Sequence, residues 1–344
     1  MKIKQIHSKQ IILSLLMAMF VVSCSDDSDT SDPNKPNVVA KDVKINPTNF
    51  PDDNFRAYLL AQDYGADGII TKEEFQKITK IEVNEKDISS LKGIEYFVAL
   101  DTLRCLNNSL SSLDVSRNTA LTFLNCGGNS LSSLDVSRNT ALTDLYCHSN
   151  PLSSLDVSHN TALRHLNCGY NSLLSSLDVS RNTALTWLVC EYNSLSSLDV
   201  SHNTALTFLS CGSNSLSSLD VSHNTALTTL SCGYNSLSSL DVSHNTALTD
   251  LSCYHNSLSS LDVSHNTALT KLYCYDNPIR GEAMDALIEG LPQTNGEIYV
   301  ISYGNYEGNI CTKSQVAAIK AKGWTPMWFN KGWVEYEGSD DNLQ

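Results

Sequence analysis

Between Leu100 and Asn277 the apolar residues return to the same places over and over. Residues 121–131 read LTFLNCGGNSL, and Leu134, Val136 and Leu142 follow before the pattern restarts. Nine cysteines mark the period, at positions 105, 126, 147, 168, 190, 211, 232, 253 and 274. Every step is 21 residues except one of 22, where Leu173 and Leu174 stand side by side. A period of this length predicts a stacked array in which no unit has a core of its own. The other half of the unit, LSSLDVSRNTAL in residues 131–142, is a second, nested copy of the same pattern, and ten plus eleven residues make the 21. Coils then repeat about 4.8 Å apart, with Leu, Val and Cys pointing inward as continuous columns. The asparagines at 108, 129, 150, 171, 193, 214, 235, 256 and 277 are expected to turn inward and bond backbone, as buried polar groups must. A second asparagine column runs from Asn118 to Asn266. Stacked cysteines on parallel strands point the same way, which suits disulfides poorly, so free thiols are expected.

The unit matches L-x-x-L-x-L-x-x-N-x-L with cysteine in the third leucine slot. It resembles the nested 21-residue class of bacterial leucine-rich repeats. The resemblance implies a leucine-rich-repeat solenoid, mainly β coils with a parallel sheet on the concave side and helical N- and C-terminal caps. The repeats are assigned to residues 78–277, starting from a degenerate coil at Ile78–Val83. Residues 46–77 precede them as a helix–loop–helix cap, and residues 278–344 close them as an α/β cap. In that last segment helices are expected over Gly281–Leu291 and Thr312–Lys322, and a strand over Glu297–Ile301. Trp324, Trp328, Phe329, Trp333 and Tyr336 are expected to fill the cap core. This segment resembles the C-terminal cap of Bacteroidota repeat lipoproteins.

The loop after the first helix resembles an EF-hand. Asp63, Asp67, Gly68, Ile70, Thr71 and Glu74 fall on positions 1, 5, 6, 8, 9 and 12. Position 3, a usual ligand, is Gly65. Asp63, Asp67, Ile69, Thr71 and Glu74 are therefore weak calcium candidates, and no other cofactor is expected. The alternative is a plain cap in which Thr71 and Glu74 form a capping box.

Ahead of the tether lies an address. Lys2, Lys4 and Lys9 precede an apolar run, Ile11–Val22, too short to span a bilayer. The run ends Val21-Val22-Ser23-Cys24, which resembles a lipobox. Residues 1–23 then read as a lipoprotein signal peptide, and Cys24 as the lipidated first residue of the mature chain. Residues 24–45 read as an acidic flexible tether. The acidic run at residues 25–29 is similar to the surface-export signal of Bacteroidota lipoproteins. The resemblance implies an outer-membrane, surface-exposed protein. Loss of residues 1–23 removes three lysines and no acid, so a formal charge of −14 becomes −17. With so few cations, nucleic acid is not an expected partner.

Variation within the chain concentrates at four outward slots around each strand, the x positions of L-x-C-x-x-N and the one before them. Ten of these 36 slots are aromatic, where polar residues would be the ordinary choice. Phe123, Tyr146, His165, Tyr170, Trp187, Tyr192, Phe208, Tyr234, Tyr254, Tyr273 and Tyr275 form the candidate ligand-binding face. Asp-Val-Ser-His recurs five times and Asp-Val-Ser-Arg three times. A repeated ladder in which Arg replaces His reads as structure rather than catalysis, and no enzyme activity is expected. The expected function is a lipid-anchored surface adhesion or binding protein that takes a protein partner. The alternative is glycan capture, and a hydrolase ranks last.

Overall fold

The computed structural model describes residues 41–302, 307–329 and 332–340. The signal peptide, Cys24 and most of the tether lie outside these residues. An N-terminal ribbon pairs β1 (Val43–Lys44) antiparallel with β2 (Ile69–Ile70). Between them runs helix α1 (Asp53–Leu60), and after them the short helix α2 (Lys72–Phe75). Strand β3 (Lys80–Glu82) then opens the sheet. Nine repeat strands follow: β4 (Thr102–Arg104), β5 (Phe123–Asn125), β6 (Asp144–Tyr146), β7 (His165–Asn167), β8 (Trp187–Val189), β9 (Phe208–Ser210), β10 (Thr229–Ser231), β11 (Asp250–Ser252) and β12 (Lys271–Tyr273). The C-terminal cap adds α3 (Glu282–Gly290), β13 (Gly296–Ile301), α4 (Lys313–Ala321), β14 (Trp324–Phe329) and β15 (Trp333–Glu335).

The fold is a leucine-rich-repeat solenoid. Strands β3 to β14 pair parallel in chain order, and β15 adds an antiparallel edge to a 13-stranded sheet. Each strand is three residues long because only its central leucine needs to be held inward. Residues pair with their own counterparts one unit on, as Leu230 does with Leu251. The step of 22 does not disturb this. His165 pairs with Trp187 and Leu166 with Leu188. Leu174 keeps the buried leucine place and Leu173, the inserted residue, is exposed. The surplus is absorbed at the corner. In most coils the asparagine Oδ1 accepts the amide of a leucine in the preceding coil, but Asn193 Oδ1 accepts the Asn171 amide instead, at 2.9 Å.

Two asparagine columns hold the coils at their corners. Asn150 Nδ2 donates to the carbonyls of Cys126, Cys147 and His148, at 3.1–3.2 Å. Its Oδ1 accepts the Leu131 amide at 3.0 Å. This residue bridges two coils with every polar atom used. The opposite column is less complete. Asn160 Nδ2 donates to the carbonyls of Val136 and Asn139 at 3.0 and 2.8 Å. Its Oδ1 is buried without a donor, as are those of seven other residues from Asn118 to Asn266. All ten described cysteines, the nine rungs and Cys311, are buried and free. Burial pushes the thiols of Cys126, Cys168, Cys211 and Cys253 up to about 12, which makes them inert filling.

The caps explain why the array ends cleanly. Asp52 Oδ1 accepts the amides of Asn54 and Phe55 and so starts α1. Its Oδ2 accepts from Ser89, amide and hydroxyl, and from the Ser90 amide. One carboxylate therefore caps the helix and ties it to the first coil. Burial alone would raise its pKa, but these bonds together hold it below the ordinary carboxylate range. Behind it Phe50, Phe55, Phe75 and Phe97 are fully buried and pack edge to face or tilted. At the other end Lys271, Leu272 and Tyr273 pair with Glu297, Ile298 and Tyr299, so the sheet runs straight into the cap. Thr312 and Gln315 form the expected capping box of α4. Trp324 is buried and its Nε1 donates to the Pro292 carbonyl at 2.8 Å. Trp333 departs from the expectation of a cap-core residue. β15 folds back along β14 and places it, 37% exposed, against the rings of Tyr275 and Tyr299.

Two outcomes are expected. Denatured without reductant and alkylated, the chain should carry label on all ten described cysteines, and mass spectrometry would expose any disulfide instead. Asn150→Ala should cost about 1 kcal/mol more stability than Asn160→Ala in urea denaturation. The first variant orphans a buried amide as well as carbonyls, while the second also removes an oxygen that had no donor.

Candidate ligand-binding face

The four variable slots become one surface for two local reasons. Strand alternation turns the residues on either side of each central leucine outward. After the cysteine the chain then makes a tight corner in the left-handed region. Tyr170, Tyr192, Tyr234 and His255 hold φ of 52–55° there, as do Asn107, Ser149, Ser213 and Asp276 in other coils. Gly, Asn or Asp would adopt this conformation easily, whereas tyrosine there is strained by order 1–3 kcal/mol.

The face divides into two aromatic blocks. In the first, Arg104 lies 4.0 Å over the Phe123 ring, and Phe123 packs on Tyr146 at 5.5 Å. Tyr146 and His165 both contact Trp187, which stacks on Phe208 at 5.5 Å. His165 Nδ1 is fixed by Asp144 Oδ1 at 2.7 Å. Beside them Tyr170 and Tyr192 stack at 4.3 Å. The second block lies at the C-terminal end. Tyr234 meets Tyr254 edge on, Tyr254 stacks on Tyr275 at 4.6 Å, and Tyr273 stacks on Tyr299 at 4.1 Å. Trp333 bridges the two columns. Small residues, Ser210, Thr229, Ser231 and Ser252, separate the blocks. All eleven candidate face residues thus reach the surface, partly or fully exposed. Trp333 and Arg104 belong with them and were not among the candidates, and Tyr299 continues the stack beneath them as a buried ring. The signal for Tyr299 was present, because Glu297-Ile298-Tyr299 repeats the outward–inward–outward order of Lys271-Leu272-Tyr273.

The rim of the second block carries a buried carboxylate. Glu307 accepts the amides of Ser302 and Asn309 at 2.7 Å and of Asp276 at 3.2 Å. Burial outweighs these bonds and lifts its pKa to about 7, with Asp276 adding to the rise. Asp276 Oδ1 in turn accepts the Ser302 hydroxyl at 2.6 Å.

The other singled-out residues serve the scaffold. In each Asp-Val-Ser step the aspartate Oδ1 accepts the serine amide, as in Asp135–Ser137 at 2.9 Å. The serine hydroxyl and amide together keep the Asp135 and Asp199 carboxyls below their usual range, against repulsion from Asp156 at Asp135 and with help from His202 and His223 at Asp199. Each following histidine is exposed, with Nδ1 near the serine hydroxyl. The EF-hand-like loop does not gather a ligand set. A Cβ on Gly65 would lie 2.1 Å from the Leu59 carbonyl oxygen, so position 3 has no room for a carboxylate. Asp67 Oδ1 accepts the Ile69 amide, and Glu74 Oε2 accepts the Thr71 amide and hydroxyl, both at 2.8 Å. Ile69 pairs with Lys44 in the ribbon. Among the described residues no group of three or more His, Cys, Asp or Glu side chains is placed to hold a metal. As they stand, Asp63, Asp67, Ile69, Thr71 and Glu74 do not fit a calcium ion.

No family model matches the chain. A stretch of 71 residues is 41% identical to internalin J of Listeria monocytogenes, covering 20% of this chain and 8% of that protein. The solved functional domain of InlJ from Listeria monocytogenes, which includes a cysteine ladder, is similar at 33% identity with a TM-score of 0.62. That likeness covers 78% of this chain and 62% of the InlJ chain, so less than two thirds of the relative is spanned. An internalin, InlF, of Listeria monocytogenes gives a TM-score of 0.65 at 23% identity over 84% of this chain and 92% of its own. A leucine-rich-repeat protein of Leptospira interrogans gives 0.61 at 22% identity over 65% and 62%. These last two show the fold alone.

A carboxyl whose folded pKa lies above its unfolded value, about 4.3, stabilises fully below that value. The contribution is lost as pH rises through about 7. The stability gap between the wild type and Glu307→Gln should therefore move in the variant's favour as pH rises from about 5 to about 7, and level off above that. Urea denaturation at each pH reads this directly.

Proposed function

We propose that this leucine-rich-repeat solenoid is a lipid-anchored surface protein that grips a protein partner with the aromatic face of its sheet. The observation that carries the reading is the tyrosine column at the corner. Tyr170, Tyr192 and Tyr234 occupy a left-handed position that glycine or asparagine fills at lower cost, and they stand 45–49% exposed. Neither core packing nor turn chemistry asks for tyrosine there. Recognition does, because tyrosine offers a large contact area and a hydroxyl with few rotamers to freeze.

Ring orientation favours protein over glycan. A sugar stacks on an open aromatic face. Here most stacked faces are turned toward one another, in Tyr170–Tyr192, Trp187–Phe208, Tyr254–Tyr275 and Tyr273–Tyr299. Edges and hydroxyls are left for a partner, which suits the mixed polar and apolar contacts of a protein interface. The lipobox ending at Cys24 and the acidic run after it support anchoring and display at the outer membrane. The repeated Asp-Val-Ser-His steps act as turn locks, and the reading assigns no catalytic group.

Paired protein and glycan arrays probed with the full chain test this. Protein hits are expected. The triple variant Trp187→Ala, Tyr192→Ala, Phe208→Ala should weaken them at least about tenfold with an unchanged circular dichroism spectrum. Hits confined to glycans, or protein hits that ignore the three substitutions, would refute the reading.

A further inference from the structure

One rung is missing from the tyrosine column. Tyr170 and Tyr192 stack at 4.3 Å with planes 15° apart, and Tyr234 and His255 lie 4.3 Å apart on the following rungs. Between the two pairs stands Ser213. Its backbone is that of its neighbours, with φ of 52° against 53° at Tyr192 and 52° at Tyr234. Tyr192 and Tyr234 are therefore anchored two strand spacings apart, about 9.6 Å. A flat group sandwiched between two rings needs about 7–8 Å, so one such group fits with a modest tilt. The slot opens to solvent, since both tyrosines are nearly half exposed.

Its flank is anionic. Glu191 turns toward the next rung, where its Oε2 accepts the Ser210 hydroxyl at 2.7 Å. Its Oε1 accepts no hydrogen bond among the described residues. From the other side the Tyr254 ring lies over Gly233, where an added Cβ would come within 2.8 Å of it. Burial first, and then the nearby Tyr234 and Tyr192 hydroxyls and Glu191 carboxylate, push the Tyr254 phenol up. A carboxylate and three phenols are thus gathered around a vacant aromatic rung.

We propose that this slot takes an arginine side chain. The guanidinium fills the missing rung between Tyr192 and Tyr234 and donates to Glu191 Oε1. A planar, weakly hydrated cation can stack on both rings and bond a carboxylate in its own plane, which an ammonium cannot. In the cell the arginine belongs to the protein partner, so the inference rests on the protein-binding reading for its natural occupant. Its chemistry is tested without that partner.

The probe is Nα-acetyl-arginine amide, titrated into the full chain and followed by NMR of labelled tyrosine rings. Saturable shifts at Tyr192 and Tyr234 are expected. Nα-acetyl-lysine amide should bind at least about fivefold more weakly, and Glu191→Gln should weaken the arginine probe by a similar factor. Ser213→Tyr supplies the missing ring on a backbone its neighbours already adopt with tyrosine, so it should abolish the shifts and leave the remaining spectrum intact. Equal binding of the two amides would reduce the effect to attraction by a chain of charge −14 and overturn the proposal. So would the absence of saturable shifts, or undiminished binding to Ser213→Tyr. Array hits that survive Ser213→Tyr but fail with the triple variant would overturn the slot while leaving the protein-binding reading standing.

Discussion

Coils that repeat one strand spacing apart, in register, make each side chain the nearest neighbour of its own copy. Every column must therefore tolerate itself at about 4.8 Å. Leucine and valine do so by packing, and cysteine by being small. Asparagine does so at one corner because its amide both gives and accepts, so that Asn150 bonds the coil before it and its own coil at once. Aspartate does not tolerate itself. It survives as an exposed column only because a serine two residues on donates to each carboxylate. Aromatic residues tolerate themselves by stacking, and this lets a variable surface be built on an invariant frame.

The same constraint governs the ends. A parallel array presents an unpaired strand and an open core at either side. At the start, β3 is the first rung, and α1 with Phe55 and the neighbouring Phe50, Phe75 and Phe97 fills the core opening behind it. Asp52 locks the two together because its two oxygens serve different segments. At the finish, β13 and β14 continue the pairing after the repeat has ended, and β15 turns back antiparallel. The cap thereby extends the aromatic stack through Tyr299, itself buried, and adds Trp333 to the face instead of merely closing it.

The periodic part of the molecule could be read from sequence because a column is a sequence pattern. The strands, the inward asparagines and the outward slots all followed from one repeating unit, and the extra residue in the step of 22 was visible as a doubled leucine. The caps were legible as elements but not as surfaces. Trp333 looks like core by composition, and only the reversal of chain direction at β15 places it on the face. Tyr299 sits 26 residues beyond its partner Tyr273, outside the period, and so escaped a reading built on that period. The EF-hand-like spacing records which residues could converge, and only the fold shows why position 3 carries no ligand, with Gly65 pressed against the Leu59 carbonyl.

The distribution of change within the chain bears on function. LSSLDVS returns almost unaltered in coil after coil, so the units have had little opportunity to drift apart. In the same coils the outward strand and corner slots differ from one unit to the next. Drift acting alone would have marked the exposed serines as readily as the exposed strand positions, for neither bears the core. Nor does stability account for the choices made. A column of Asn, Gly or Asp at the corner would remove the strain that Tyr170, Tyr192 and Tyr234 carry. Strained residues persist where something other than folding selects them. That two strained tyrosines flank Ser213, a residue that breaks their stack, is the feature that folding requirements explain least and a bound planar group explains best.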